Sequence, residues 1–348
     1  KKSKTWIIVS AVVGLVVIIL AIIWALFIGI SVAVLAGIIA VIVGVVSKAN
    51  KNKQLYFSDG NNEIPTMEHV NPFRDIPCHK DIYYFYYVAT KAGIIQQDDR
   101  SGILCAMLLK WIRDGYVNFT MEPSTGWFKK DKYEIDFSGE IPTENILEEK
   151  MLGYFREASG DNQILENKEF ERWCKRNYEE IEDWFNDLIE FEEKELKEKG
   201  LMKKQTTYKK FLGIDIANEK VVYEPSFRDD IIYTKGLKRF LLDFSSIEEK
   251  EVIEVKLWEE YLMFASILGI ADEVEKQIGK LCPEFNQYSN IDYTYTMLAT
   301  RTFMYGGVRS AANAYSAAHS SSYSGGGGFS SFGGGGGGFS GGGGGGSR

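Results

Sequence analysis

Cys78 and His79 are adjacent, and His69 lies ten residues upstream. A thiol and two imidazoles are the donor types of a zinc site or of an activated cysteine. The spacing supports neither. No C-x-x-C pair exists, and adjacent residues of an extended segment point in opposite directions. A loop cysteine packed under the first helical domain accounts for the same residues. Asp161-x-Gln163-x-Leu165 opens like a calcium loop, which needs an oxygen ligand at its fifth position and glycine at its sixth. Leu165 and Glu166 supply neither. The glycine runs after Gly325 lack the preceding strand and following helix of a phosphate loop. No catalytic, cofactor-binding or metal-ligating residue is therefore assigned, and no cofactor is expected. The four cysteines, Cys78, Cys105, Cys174 and Cys282, are widely spaced. They read as free buried thiols of a reducing compartment, with a disulfide as the alternative.

Charge narrows the partners. The net charge of -8 opposes nucleic-acid binding through a basic surface, because phosphate neutralisation supplies most of such affinity. Ten acidic residues fall between Glu179 and Glu198, against Lys194 and Lys197 alone. That face suits a basic protein partner or the lysine-rich segment that follows the apolar run described next. The plainer reading is a solvated helix face. Trp111, Trp173, Trp184 and Trp258 stand at core spacing and need no functional account.

Trp6 to Ser47 positions everything else, since it is apolar throughout and carries no charge. A helix of ~20 residues spans the roughly 30 Å bilayer core, and this run is about twice that. Tilt does not absorb such an excess. Two spans, about 6–26 and 30–47, joined near Gly29 and Ser31, do fit. A cleaved signal peptide has an apolar region of only ~7–15 residues and is disfavoured. Lys1, Lys2 and Lys4 precede the run; Lys48, Lys51 and Lys53 follow it. Lysine-rich flanks stay cytoplasmic, so both ends and the soluble region are expected on that side.

Residues 49–76 read as a linker, with Pro65, Pro72 and Pro77 opposing helix. From Asp81 the spacing predicts a helix ending near Gly93. A second, over Gly102 to Asp114, has a wide apolar face from Ile103 to Ile112. The period then drops to two: Val117, Phe119 and Met121 alternate with polar residues, as do Tyr133, Ile135 and Phe137. Helices followed by a hairpin form a winged-helix-like unit over 77–140. The pattern returns over 141–227. Helical spacing runs through Leu147, Met151 and Phe155. A turn follows at Ser159 to Asn162, and Asn167 is placed to cap a helix holding Phe170, Trp173 and Cys174. A long helix then spans Tyr178 to Lys199, with Ile181, Trp184, Phe185, Leu188 and Leu196 inward. Leu201-Met202 and Lys220 to Tyr223 suggest a second hairpin. Residues 228–283 read as helical, ending in a helical pair on either side of Gly269. Residues 284–348 read as a tail, polar at first and then Gly/Ser-rich and disordered, because it offers too little apolar surface to offset ordering entropy. Its isolated Phe residues suit weak self-association; a flexible spacer is the simpler reading. The expected fold class is a membrane-anchored α+β protein. It comprises an N-terminal transmembrane helical hairpin (1–48), two winged-helix-like units, a C-terminal helical pair and a disordered Gly-rich tail.

Three phrases and the tail carry a resemblance. NPFRDIPCHKDIYYFYYVATKAGII, GILCAMLLKWIRDGYVNF, KLWEEYLMFASILGIADEVEKQIGKLCPEF and the Gly/Ser/Phe terminus resemble the C-terminal region of the YciQ-like predicted bacterial membrane proteins, a family defined by a domain of unknown function. The resemblance implies an extracytoplasmic domain ahead of the membrane segments. With two spans after such a domain, the soluble region would lie outside, opposite to what the lysine flanks predict. The family has no established activity, so the resemblance transfers no catalytic residues. The expected function is a membrane scaffold or sensor that recruits a protein partner. The alternatives are a membrane-bound enzyme acting on cell-envelope material and a membrane-tethered DNA-binding regulator.

Overall fold

The computed structural model describes residues 54–95, 100–122, 132–211, 214–243, 255–281 and 293–320. The apolar run and its expected helical hairpin lie outside the described residues, as do the Gly-rich tail and Cys282. No helix among the described residues is long and apolar enough to cross a membrane. The described chain forms two compact units. One holds residues up to Val117 together with Asn186–Arg301; the other holds Asn118–Phe185 and the chain from Thr302 onward. These units cut across the contiguous segments 77–140 and 141–227 expected from sequence.

The first unit is built around helices α1 (Ile82–Lys91) and α2 (Gly102–Arg113). Asp81 starts α1 by accepting hydrogen bonds from the Tyr83 and Tyr84 amides, so two of the unpaired first-turn donors are satisfied. Gly93 and Gly115 end the two helices at φ 64° and 78°, a conformation that glycine adopts without penalty. The sequence predicts one apolar face for α2. Instead every residue from Gly102 to Leu109 is buried. Helix α7 (Val255–Ile267) packs on it so closely that a Cβ on Gly102 would collide with the Ser266 carbonyl oxygen. Helices α6 (Pro225–Leu242) and α8 (Ala271–Leu281) complete the layer, with Gly269 at φ 71° between α7 and α8. Phe85 meets Phe264 edge-on at 4.8 Å, and Phe240 meets Tyr261 at 5.8 Å.

The same unit holds a sheet of order β1-β6-β5. Strands β5 (Met202–Phe211) and β6 (Ile214–Tyr223) pair antiparallel over their whole length. The two-residue β1 (Tyr56–Phe57) joins β6 in parallel at its base. Met202 and Tyr223 seal that base against Tyr87 and Phe227. The Tyr87 and Tyr223 hydroxyls lie 2.9 Å apart, and Tyr223 stacks on Phe227 at 4.2 Å.

The linker expected over 49–76 is a strap from residue 56 onward. Its prolines oppose α-helix and leave one 3-10 turn at Met67–His69, so most of its carbonyls need outside donors. Helix α6 supplies them from one face. Arg228 reaches Asp59 at 2.8 Å and the Asn61 carbonyl at 2.6 Å. Lys235 donates to the Pro65 carbonyl, and Arg239 to those of Glu68 and Val70. Gly236 accepts from the Phe73 amide at 3.1 Å. A Cβ there would sit 2.7 Å from the Phe73 Cβ, so only glycine admits the strap this close.

The second unit contains β2 (Asn118–Glu122), β3 (Lys132–Asp136), α3 (Ile146–Ser159), β4 (Ile164–Glu166) and α4 (Asn167–Arg176). The first hairpin is present, with Phe119 opposite Ile135 and Met121 opposite Tyr133. Strand β4, to which the sequence reading assigns no element, extends it as β2-β3-β4. Asn145 caps α3, accepting from the Leu147 and Glu148 amides. Asn167 does not cap α4; Glu166 does, in a reciprocal capping box with Glu169. The carboxylates at both positions satisfy first-turn amides and favour the helix dipole, which one asparagine does not match.

Two helices run through both units: α5 (Tyr178–Glu198) and α9 (Tyr293–Ser320). Helix α9 occupies residues that the sequence reading assigns to the polar and disordered tail. Within the second unit Phe303 stacks on Phe170 at 5.4 Å, and Gly307 lies against the Phe170 ring and Cys174. Packing of Met304, Val308 and Ala311 supplies what the local Ala/Ser/Thr composition lacks.

Candidate functional site

The adjacent Cys78 and His79 sit in a tight turn where Cys78, His79 and Lys80 take φ of 56°, 55° and 61°. Left-handed backbone costs roughly 1–2 kcal/mol per non-glycine residue, so surrounding contacts must hold the turn. Asp81 anchors one side as the α1 cap, and Lys80 pairs with Glu260 at 2.7 Å. His69 bonds Thr66 in a separate turn and His79 is exposed, so the three candidate ligands do not converge. Among the described residues, no three His, Cys, Asp or Glu side chains gather to hold a metal. The Asp161 segment is a short turn that feeds β4, with Gln163 at φ 53°. Cys78, Cys105 and Cys174 are free and buried, as expected from their contexts.

The turn places the Cys78 thiol in a polar cluster of the first unit that sequence reading missed. Its sulfur lies 3.9 Å from the Thr234 hydroxyl. The Tyr84 hydroxyl donates to Asp230 at 2.8 Å. Glu192 of α5 is 4% exposed, with the Asp81 and Glu195 carboxylates and the Lys199 ammonium acting on it. Burial pushes the Glu192 carboxyl up to about 8, and Asp81 adds to the rise. Burial also raises Asp230, against the pull of the Tyr84 hydrogen bond. Burial, aided by the Asp230 charge, lifts the Cys78 thiol above its ordinary range. A thiol so placed stays protonated at neutral pH and is not a nucleophile. One signal was available: Glu192 stands on the stripe of Ile181, Trp184, Leu188 and Leu196, where an apolar residue is expected.

The outward side of α5 offers a different surface. Asp187, Glu190, Phe191, Glu193, Lys194 and Lys197 of α5, with Lys204 of β5, line a groove of about 460 Å³. The acids are partly matched by local cations: Glu193 by Lys91 at 2.9 Å, Glu195 by Lys199 at 3.0 Å, and Glu198 by Lys194 at 3.9 Å. Phe191 is half-buried among them. The result is a shallow, charged recess with one aromatic patch. It suits a protein surface more than a small molecule, whose sites are mostly apolar and enclosed.

No curated protein and no solved structure matches the chain. Residues 232–278, from α6 into α8, match the family model described as predicted membrane protein (DUF2207) C-terminal domain, in agreement with the YciQ-like resemblance and with association with a membrane.

Proposed function

We propose that the chain is a membrane scaffold or sensor that recruits a protein partner through the outward face of α5. The apolar run anchors it as a helical hairpin, and the lysine flanks put the soluble region in the cytoplasm. The two helix–hairpin segments serve as winged-helix-like interaction modules. The observation that carries the reading is the α5 groove: a half-buried Phe191 ringed by the carboxylates of Asp187, Glu190 and Glu193 and the ammonium groups of Lys194, Lys197 and Lys204. Aromatic anchors ringed by polar groups are the usual centres of protein interfaces. DNA recognition is disfavoured, since the helix before the second hairpin would meet phosphates with carboxylates. The test is affinity capture of the full chain from solubilised membranes, with and without Asp187→Lys and Glu190→Lys together. The wild type should retain a distinct partner that the double variant loses by tenfold or more. Recovery of nothing but copies of the same chain from both would sink the reading.

A further inference from the structure

Among the described residues β5 pairs with β6 alone, so its other edge carries no strand. Two bonds at the base of the β5–β6 ribbon fix which backbone groups point that way. The Glu224 amide donates to the Leu201 carbonyl at 2.9 Å, and the Ser58 amide to the Tyr223 carbonyl at 2.9 Å. In an antiparallel ladder, hydrogen-bonded and unbonded pairs alternate. Lys203 and Gln205 therefore bond toward β6, while Lys204 and Thr206 turn their N–H and C=O to the open edge. Both of these residues are exposed. Strand β1 reaches only Val222 and Tyr223, so past its base the sheet is down to two strands, a marginal number. A third strand along β5 would use the open backbone groups and stabilise the ribbon.

The α5 groove says what such a strand must carry. Lys204 of β5 lines the groove together with α5, so the open edge borders it. The chain reverses at Gly200 between α5 and β5, which makes the lysine end of the groove the turn end. Lys194 is matched by Glu198 at 3.9 Å and Lys197 by Glu193 at 4.0 Å. That leaves Glu190 at one end and Lys204 at the other with no ion-pair partner among the described residues, and Phe191 between the ends. From Asp187 to Lys197 the helix rises ~15 Å. The first and fifth residues of a strand lie ~14 Å apart and face the same side, as does the third. Lysines on an edge strand ordinarily guard it against indiscriminate pairing. Here Lys204 makes acceptance conditional on an acid in the incoming strand.

We propose that the partner binds by strand addition: an extended segment pairs antiparallel with the open edge of β5 and lies over the α5 groove. Antiparallel pairing is the more stable sense. A strand in that sense passes Glu190 first, Phe191 next and Lys204 last. Its groove-facing side chains, at every second position, are therefore basic, apolar and acidic in that order. Main-chain bonds to Lys204 and Thr206 supply affinity, and the three side chains supply selection. The inference rests on the recruitment reading above and gives the partner a chemistry.

The test titrates the full chain, in detergent micelles, into a fluorescent peptide of sequence Thr-Lys-Thr-Leu-Thr-Glu-Thr and reads anisotropy. Lys204→Glu should weaken binding about fivefold or more, and a peptide with lysine in place of its glutamate should restore it. Thr206→Pro removes an amide that faces away from β6, where proline is tolerated, and should weaken binding at least tenfold without lowering the melting temperature. The peptide itself supplies a test that leaves the protein intact. Successive amides of a strand point to opposite edges, so N-methylation at the leucine and at the threonine before it should differ by tenfold or more. Equal effects of the two methyl groups, with Thr206→Pro harmless, overturn strand addition. So does absence of peptide binding at millimolar concentration while membrane capture still returns a partner that Asp187→Lys with Glu190→Lys loses; the recruitment reading then stands alone. Failure of both the peptide and the capture removes both. A concentration-dependent dimer of the chain that Thr206→Pro abolishes would give the edge to a second copy and overturn the proposal.

Discussion

Glu192 shows how one side chain couples this fold to pH. Its folded value of about 8 lies above the ordinary carboxyl value of 4.5. The folded state therefore binds more protons than the unfolded chain between those values. Stability from this group is complete below about 4.5 and is lost as pH rises toward 8. Glu192→Gln keeps the shape without the ionisation. Urea melts should show the variant more stable than wild type at pH 8, by on the order of 2 kcal/mol, and near parity at pH 4.5. An unchanged difference across that range would mean that the carboxylate has water or a cation that relieves its burial. The residue was half legible in the sequence. Its place on the apolar stripe of α5 is a matter of spacing. That it sits beside Asp81, with the Tyr84–Asp230 pair and Cys78 nearby, comes from contacts between segments more than a hundred residues apart.

Helix boundaries were the most legible elements, because caps are local. Asp81, Gly93 and Gly269 act where the sequence places them. Strand β4 was not legible, since three residues are too few to show a period of two. Nor was the strap, whose prolines and polar residues read as linker until the donors of α6 are counted. Arg239 joins the strap through the Glu68 and Val70 carbonyls at 2.9 and 2.8 Å. Arg239→Ala should cost about 1–2 kcal/mol in chemical denaturation, as hydrogen bonds from a charged donor do. It should also speed proteolytic cleavage between residues 60 and 72. Unaltered cleavage would show that the strap is held by Phe73 and Arg228 without it.

For the whole molecule, orientation is the property with the widest consequences. Ser226 offers an exposed site at the base of the ribbon, whereas Cys78 is 2% exposed and would stay silent to labelling. With the proposed cytoplasmic soluble region, Ser226→Cys should resist a membrane-impermeant maleimide in intact cells and react after lysis. Labelling in intact cells would place the region outside, as an odd number of spans or an external domain ahead of the anchor would produce. The sequence by itself determined the length and charge flanks of the apolar run, the helix stops and the absence of a regularly spaced ligand motif. Each of these depends on neighbours in the chain. Tertiary structure alone decided that α2 is buried all round, that β1 and β4 are recruited into sheets across long stretches of chain, and that residues 293–320 are helical. Those outcomes depend on partners distant in sequence, and no local period or cap encodes a partner.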